Sequence, residues 1–428
     1  MVNTLRSGFT TLRRHCRAIM LSGGSQIVSS LTNFGIALYL VRILDKPQFG
    51  LYGLGFASVM IIAVMLSALF SVQFVVNVSD QEIENRSSYA LHHIAAVAIS
   101  GLAMMIAVML AVNSVQKNII PVIEAFALPI TVAAATFALR DILMRVAFVN
   151  RREIIVFINA ATVAFSIATV YLLLGYKNIE LTALKALYIY AIGQFAGIIQ
   201  GLIMLKLPWK TLGKKGLIEA FSHSWKGGRW HVMTSMVHGI RIHIHNFIIP
   251  PILGLAVLAE INAARILLSP VVLAIPPIYQ LIMPRLAERR TQGLFEITRM
   301  IVIVISGLTV FATFYCAGLF LTRDTLLPLL LGKSYSNLNY IIIAWSVYSI
   351  VLVLRNGLTM AMEVLKFFRG IFSANVVAAS VAIVLAVWLS IGHGGTGIVW
   401  ALVIAEFTLC LILTIKLMRI SNIEQPLS

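Results

Sequence analysis

The chain has 428 residues, of which 60% are hydrophobic and only 11% are charged, and its mean hydropathy is +0.94. A soluble chain is typically about half apolar and about a quarter charged, so this composition excludes an ordinary soluble enzyme. The formal net charge of +17 does not indicate a nucleic-acid-binding protein, because the lysines and arginines lie between apolar runs, where membrane topology places them.

Apolar runs long enough to cross a bilayer, about 20 residues each, recur along the whole chain. They predict an all-α membrane protein with about 12 transmembrane helices. The predicted spans lie near residues 18–40, 50–77, 88–112, 119–139, 154–175, 181–205, 230–250, 253–284, 298–321, 336–362, 370–391 and 396–418. Pro270, Pro276, Pro277 and Pro284 predict a kink in the eighth span.

The longest and most basic connection, residues 206–229, divides the predicted spans into two sets of six. The sequence therefore predicts an N-terminal six-helix lobe (1–205), a basic cytoplasmic linker (206–229) and a C-terminal six-helix lobe (230–428). Because six is an even number, the two halves have the same orientation. A duplicated bundle of this kind would be related by an axis along the membrane normal.

The distribution of lysine and arginine predicts the orientation, since cytoplasmic loops of membrane proteins are enriched in these residues. With the N-terminus inside, 23 of the 33 basic residues fall on the inner side and 7 on the outer side. We therefore expect both termini to be cytoplasmic, in a bacterial inner membrane. The three remaining basic residues, Arg241, Arg265 and Arg355, fall within apolar spans.

Each predicted lobe begins with a helix that has one polar face. In the first span, Gln26 and Asn33 are two helical turns apart; in the seventh, His238, Arg241 and His245 recur at spacings of three and four. Polar side chains are costly in contact with lipid tails. These faces are therefore predicted to line the bundle interior or a water-filled cavity.

The depth of two arginines indicates what such a cavity binds. Arg241 lies about 11 residues, or roughly 16 Å, from the inner end of its span, near the middle of a core about 30 Å thick. Arg265 reaches a similar depth from the outer side. Placing an arginine at the bilayer centre costs about 2.5–3.5 kcal/mol on insertion scales. Since two cations at one level repel each other in a dry bundle, the pattern favours a wet cavity and an anionic ligand.

Each intramembrane arginine also has a structural interpretation. Arg265 would pair with Glu260 or Glu406, and Arg241 would bond backbone carbonyls at a break near the end of its span. Arg355 approaches the inner edge of its span, where its side chain would snorkel towards the interface.

Two carboxylates in or beside the spans are candidates for coupling transport to an ion gradient. Glu406, near the middle of the last span, is a counter-ion to a buried arginine, a proton-coupling site, or both. Asp141 lies beside Arg140 at the inner end of the fourth span, with Arg145 one turn further on. This group is an interfacial charge cluster or a cytoplasmic substrate gate. The candidate substrate-binding residues are Gln26, Asn33, Arg140, Arg145, His238, Arg241, His245, Arg265 and Arg355.

The histidines of the seventh span do not predict a metal site. His231, His238 and His245 are spaced by seven residues, about 10 Å along a helix axis, so one ion cannot bridge them. Protonated histidines would instead add positive charge to the face. The chain also has neither a Walker phosphate loop nor a G-x-S-x-G nucleophile elbow, so no metal, cofactor or enzymatic activity is predicted.

A family resemblance rests on residues near the start of each half: Ser22, Gln26, Asn33, 39–44 and 48–52, then 249–254, Arg265 and Pro270. These segments resemble Wzx-type polysaccharide flippases of the MOP superfamily, which also contains MATE drug exporters and lipid II flippases. The resemblance implies two six-helix lobes around a central cavity that work by alternating access. It further implies transport of an undecaprenyl-diphosphate-linked saccharide from the cytoplasmic to the periplasmic leaflet.

Together, the residues and the resemblance predict a flippase with a positively charged cavity. An alternative is a MATE-like exporter of small organic compounds coupled to H⁺ or Na⁺, which would need buried carboxylates that the first span lacks. A second alternative, a membrane-bound sugar polymerase, would need a large periplasmic loop, which the predicted spans do not leave room for. The expected partners are an anionic lipid-linked saccharide, membrane lipids and other polysaccharide assembly proteins, and no nucleic acid.

Overall fold

The structure, a computed structural model, describes residues 2–114, 121–288, 294–332, 335 and 338–424. Four basic residues that entered the charge distribution lie outside these ranges: Lys117, Arg289, Arg290 and Lys333. Within the described ranges the chain is helical nearly throughout and contains no β-strand. The predicted all-α membrane fold is confirmed.

The helices follow the apolar runs. Those of the first half are α1 (Val2–Ile43), α2 (Lys46–Leu66), α3 (Val72–Asn77), α4 (Arg86–Ser114), α5 (Pro121–Val149), α6 (Glu153–Tyr176) and α7 (Ala183–Leu205). Those of the second half are α8 (Lys214–Leu253), α9 (Leu255–Leu267), α10 (Ser269–Glu288), α11 (Leu294–Leu331), α12 (Asn339–Val364) and α13 (Phe368–Glu424). A π-helical turn, Ser67–Ser71, joins α2 to α3 inside one long span, Lys46–Asp80.

The helix count agrees with the predicted twelve spans. Within the described ranges, nine helices are long and apolar enough to cross a membrane, and the bent pair α9–α10 gives a tenth. The last of the nine, α13, has 57 residues and contains a break at Gly394 (φ 59°, ψ −145°), so it contributes two spans. The remaining span is the more polar α8.

The break at Gly394 reverses the chain direction. A side-chain carbon at Gly397 would strike the backbone oxygen of Leu389, eight residues earlier. In a straight helix those residues would be about 12 Å apart. The two stretches of α13 therefore fold back on each other, between the predicted spans 370–391 and 396–418.

The kink predicted in the eighth span is also confirmed. Helices α9 and α10 meet at Leu268 with a bend of 52°. The break lies directly before Ser269 and Pro270, and a residue that precedes proline is disfavoured in helical conformation. The other three prolines of this span stay inside α10.

Residues pack into two compact units, which we describe separately. The first contains the described residues up to Asn33 together with Gly55–Met236. In its core, Gly193, Gly197 and Gly201 recur every four residues on α7. Carbon atoms added at these glycines would lie within 3.5 Å of side chains on α5 or α6, so the three helices approach closely.

The second unit contains Phe34–Leu54 and the described residues from Val237 onward. Helix α12 is its centre and packs against α10, α11 and both stretches of α13. The start of α2 belongs here because Gly50 lies against the backbone oxygen of Leu255, where a side chain would not fit.

Residues 214–229, predicted as part of the basic linker outside the apolar spans, are helical. They form the first four turns of α8. Leu217, Ala220 and Phe221 pack against the core of the first unit. Hydropathy missed this stretch because only one of its faces is apolar, so the average over all residues is low.

Helix α5 is longer than predicted. It continues to Val149, ten residues beyond the predicted end of the fourth span. Arg140, Asp141 and Arg145 therefore lie within the helix rather than at its inner end. Each of the three side chains has polar partners, as described below, and Arg145 and Asp141 remain partly exposed.

Candidate functional site

Three charged side chains of the C-terminal unit meet in its interior: Arg241 on α8, Arg355 on α12 and Glu406 on the second stretch of α13. We call them the Glu406 triad. Arg241 Nη1 donates to Glu406 Oε1, and Arg355 Nε donates to Glu406 Oε2 over 3.2 Å. The hydroxyl of Tyr348 approaches Glu406 Oε1 at 3.4 Å. One carboxylate therefore neutralises one of two buried guanidinium charges.

The triad is deeply buried. Arg241 is 2% exposed, Arg355 8% and Glu406 1%. Removing charges from water costs several kcal/mol per ion, and mutual attraction offsets this only where the geometry and additional hydrogen bonds are good. The structure thus places Glu406 as the counter-ion of Arg241 and Arg355. Among the described residues, Arg241 makes no hydrogen bond to the backbone carbonyls proposed as its partners.

Polar side chains of α8 extend the site along the helix. His238 Nδ1 lies 3.3 Å from Arg241 Nη2. One helical turn beyond Arg241, the buried His245 contacts Asn246, whose Oδ1 accepts a 3.0 Å hydrogen bond from Asn262 on α9. His245 Nδ1 and Arg241 Nε have no hydrogen-bond partner among the described residues. Of the histidines predicted on this helix face, His245 is buried and His238 partly buried, whereas His231 is exposed.

Arg265 differs from the other two arginines. Its guanidinium lies 5.5 Å from the ring centroid of Trp345, and within the described ranges it makes neither an ion pair nor a hydrogen bond. The two carboxylates that would neutralise it are engaged elsewhere, Glu260 with Lys46 and Glu406 in the triad. Arg265 is partly buried, and no carboxylate within the described ranges neutralises its charge.

Trp345 fixes the position of Arg265. The fully buried indole donates to the backbone oxygen of Ile261 over 3.1 Å. It packs edge-on against His245 and Tyr348, with ring centroids 5.7 Å and 5.0 Å away. An arginine against a rigid aromatic face has few alternative positions, and the cation–π contact stabilises it by about 0.5–2 kcal/mol.

The N-terminal unit holds its own interior arginine without a carboxylate partner. Arg140 on α5 donates from Nε to Asn159 Oδ1 on α6 (2.6 Å) and from Nη1 to Gln194 Oε1 on α7 (3.1 Å). Asn159 in turn donates to the backbone oxygen of Gly197 over 2.7 Å. Neutral amides thus orient the guanidinium but leave its charge uncompensated.

Directly after Arg140 on α5, Asp141 forms a separate ion pair with Arg145, one helical turn further along. Arg145 Nε donates to Asp141 Oδ2 over 2.8 Å, and the same oxygen accepts a 2.9 Å hydrogen bond from Ser67. Ser67 is the first residue of the π-helical turn, and such turns occur often at functional sites. On α1, Gln26 is half-buried and Asn33 is exposed.

Several residues of this arrangement were absent from the sequence prediction. Asn159 and Gln194 are buried polar residues in apolar spans, and the rule that selected the arginines would have selected them too. Trp345 and Tyr348, which were not predicted, precede the predicted Arg355 on one face of α12 at spacings of three and seven. That pattern looks like ordinary core packing, and nothing in the sequence links it to Glu406.

A further ion pair lies at the start of α2. Lys46 Nζ contacts Glu260 Oε1 at 2.6 Å and lies 5.3 Å above the ring of Tyr335. Burial, together with the carboxylates of Glu260 and Asp45, raises the pKa of the Tyr335 phenol above its usual range. This pair ties α2 to α9 within the C-terminal unit.

Across the described ranges, no three His, Cys, Asp or Glu side chains are grouped as metal ligands would be.

Comparison with solved structures identifies the fold. The lipid II flippase MurJ, in an inward closed conformation, superimposes with a TM-score of 0.74 at 14% identity, covering 93% of this chain and 87% of MurJ. An inward-facing multidrug resistance MATE family transporter of the MOP superfamily gives 0.77 at 10% identity, covering 95% and 99%. A MOP superfamily transporter from Pyrococcus furiosus gives 0.68 at 11% identity, covering 95% and 96%. These proteins are flippases and transporters, not enzymes.

Sequence comparison identifies the family. No curated protein matches the chain significantly. The sequence model of a family described as polysaccharide biosynthesis protein matches residues 39–340. Since this match covers most of the chain, the protein belongs to the polysaccharide biosynthesis protein family and has the all-helical fold of the MOP superfamily transporters.

Proposed function

We propose that the protein is a flippase that moves an undecaprenyl-diphosphate-linked saccharide from the cytoplasmic to the periplasmic leaflet of a bacterial inner membrane. Transport would occur by alternating access through a positively charged cavity. The family supplies the link to polysaccharide synthesis, and the fold is that of proteins that move lipid-linked or small molecules across a membrane.

The observation that carries the proposal is the excess of positive charge inside the C-terminal unit. Three guanidinium groups, on Arg241, Arg265 and Arg355, accompany one carboxylate, on Glu406. A diphosphate is a strong anion, and the planar guanidinium suits paired contacts with its oxygens. Arg265 is the first candidate for that contact because its charge is unpaired and its side chain is not fully buried. Arg140 provides a second unpaired cation, in the N-terminal unit.

The remaining candidates keep supporting roles in the proposal. His238 and His245 lie along the same helix as Arg241 and would contact the saccharide or add positive charge. Glu406 and Asp141 are the coupling candidates. Because the Glu406 carboxylate bonds two guanidinium groups, a proton or a diphosphate that replaced either bond would change the partners of both arginines.

The MATE-like exporter remains the second candidate because a MATE family transporter has a closely similar fold. An exporter of organic cations would bind them with carboxylates that are free of counter-ions. Among the described residues of the C-terminal unit, the one buried carboxylate, Glu406, is neutralised by two arginines, and Glu260 pairs with Lys46. The charge distribution therefore favours an anionic substrate.

Reconstitution tests the proposed activity. Proteoliposomes would contain undecaprenyl diphosphate linked to a fluorescently labelled saccharide, and an impermeant reductant added outside would quench the label in the outer leaflet. We expect the protein to expose the inner-leaflet label over time, since a flippase equilibrates the two leaflets. In protein-free vesicles that label should stay protected.

The matched control is the same saccharide attached to undecaprenol without the diphosphate. It should move far more slowly if the guanidinium groups recognise phosphate. Equal rates for both lipids would contradict the anionic site. Uptake of an organic cation without lipid movement would support the exporter instead.

We also propose that both termini are cytoplasmic, on the strength of the basic residues on the corresponding loops. In a variant that lacks Cys16, Cys316 and Cys410, we expect Glu180→Cys to react in intact cells with an impermeant maleimide. Leu212→Cys should react only after the cells are permeabilised. Both side chains are exposed, so accessibility within the protein does not separate them. The opposite labelling pattern would reverse the orientation.

A further inference from the structure

The first four turns of α8 have one packed face and one open face. Leu217, Ala220, Phe221, Ser224 and Gly228 recur at spacings of three, one, three and four, and they face the interior of the N-terminal unit. Gly228 lies against the backbone of Leu69, where a side-chain carbon would come within 2.8 Å of the oxygen. This side of the helix is therefore closed to any ligand.

The opposite face combines basic and apolar side chains. Lys214, Ile218, Trp225 and Arg229 recur at spacings of four, seven and four, which places them on one stripe of the helix. Ile218 is 57% exposed and Trp225 63%, and both basic residues are exposed. Lys215 and Lys226 flank this stripe. We call these six residues the basic face of α8.

Charge on this face is predominantly positive, and the one acidic neighbour is the exposed Glu219, a helical turn from Lys215. Residues 206–229 contain six lysines and arginines and a single acidic residue, Glu219. The face therefore complements a negatively charged partner. The exposed indole and isoleucine side chains favour an apolar partner, because burying them lowers the free energy of binding. A soluble acidic protein would be bound by the basic side chains without them.

The position of the face in the chain indicates which partner it meets. Helix α8 continues without interruption from the basic face to Arg241 and on to Leu253, inside the span. Arg229 is 12 residues from Arg241, or about 18 Å along the helix, so the basic face lies where α8 leaves the apolar core. Tryptophan and basic side chains at that depth are typical of the membrane interface.

We propose that the basic face of α8 binds the headgroups of anionic phospholipids in the leaflet next to residues 206–229. Lys214, Lys215, Lys226 and Arg229 contact phosphate oxygens, while Ile218 and Trp225 insert among the upper acyl carbons. This lipid-binding surface is separate from the Glu406 triad and from Arg265. It does not depend on the proposed flippase activity.

Tryptophan quenching by brominated lipids tests the proposal on the full chain in proteoliposomes of neutral lipid. The signal of Trp225 is obtained as the difference between the wild type and Trp225→Phe. We expect brominated phosphatidylglycerol to quench this signal several-fold more than brominated phosphatidylcholine at the same mole fraction. The matched control is Trp388, which is 70% exposed on α13, where residues 370–415 contain no lysine or arginine. Its signal should not distinguish the two lipids.

A charge variant separates headgroup binding from simple contact with the bilayer. Changing Lys214, Lys215, Lys226 and Arg229 to Gln should abolish the preference while leaving quenching by brominated phosphatidylcholine intact. Arg151→Gln with Arg152→Gln removes exposed charges beside α5 and should leave the preference unchanged. Equal quenching of Trp225 by both lipids in the wild type would overturn the proposal. Absence of quenching by either lipid would also overturn it, in favour of a soluble partner.

Discussion

Changing Glu406 to Gln is expected to destabilise the protein by about 3–5 kcal/mol, because it leaves two buried guanidinium groups without a counter-ion. Arg241 and Arg355 both bond this carboxylate, and none of the three residues is more than 8% exposed. The neutral amide keeps the shape and can still accept hydrogen bonds. The loss is therefore electrostatic rather than steric. The midpoint of denaturation in detergent measures it.

A compensating variant distinguishes charge from packing. Combining Glu406→Gln with Arg241→Gln and Arg355→Met removes all three charges of the triad. Replacement of a buried ionic group by neutral side chains of similar volume is often neutral or stabilising, so we expect most of the lost stability to return. Thr408→Val, a change at a partly exposed position on the same stretch of α13, is the control and should have little effect. Wild-type stability of Glu406→Gln alone would contradict the ionic triad.

The sequence predicted the helices well because the bilayer imposes a simple rule. A span needs about 20 apolar residues, and breaks occur where proline or glycine prevents regular helix. The bend at Leu268 and the reversal at Gly394 both follow from this chemistry. Residues 214–229 escaped prediction because an amphipathic helix packed on one side has no long apolar run.

The sequence also located the buried arginines, but it did not determine their partners. Depth along a span follows from counting residues, whereas the direction of a side chain around the helix depends on neighbours far away in the chain. Arg241 and Arg265 have similar predicted depths. One meets Glu406, 165 residues away, and the other meets the face of Trp345. Only packing of α8, α9, α12 and α13 separates these two environments.

Arg140 illustrates a second limit. Its partners Asn159 and Gln194 are uncharged, so the charge pattern gave no reason to connect them with it. These amides lie within hydrogen-bond distance of Arg140 because the glycines of α7 let α5, α6 and α7 approach closely. A buried amide in an apolar span therefore carries as much information about an interior cation as a carboxylate does.

Changing Arg265 to Gln is expected to reduce flipping of the diphosphate-linked saccharide by roughly 10- to 100-fold, with little change in stability. A hydrogen bond to a charged group contributes about 1.5–3 kcal/mol, and about 1.4 kcal/mol corresponds to a factor of ten. The folded protein loses only the contact with Trp345, worth about 1 kcal/mol. Rates come from the reconstituted lipid assay, and stability from the midpoint of denaturation.

Two further variants identify the origin of the effect. Arg265→Lys keeps the charge but loses the planar pair of donors, so its rate should fall between those of the wild type and Arg265→Gln. Arg369→Gln removes an exposed arginine at the start of α13, and this variant should flip the lipid at the normal rate.

If Arg265→Gln transports at the wild-type rate, Arg265 does not bind the diphosphate. If its rate and stability fall together, Arg265 is structural. A lower rate at unchanged stability, found for Arg265 and not for Arg369, would place the anion beside Trp345, because that is the one position the Arg265 side chain occupies.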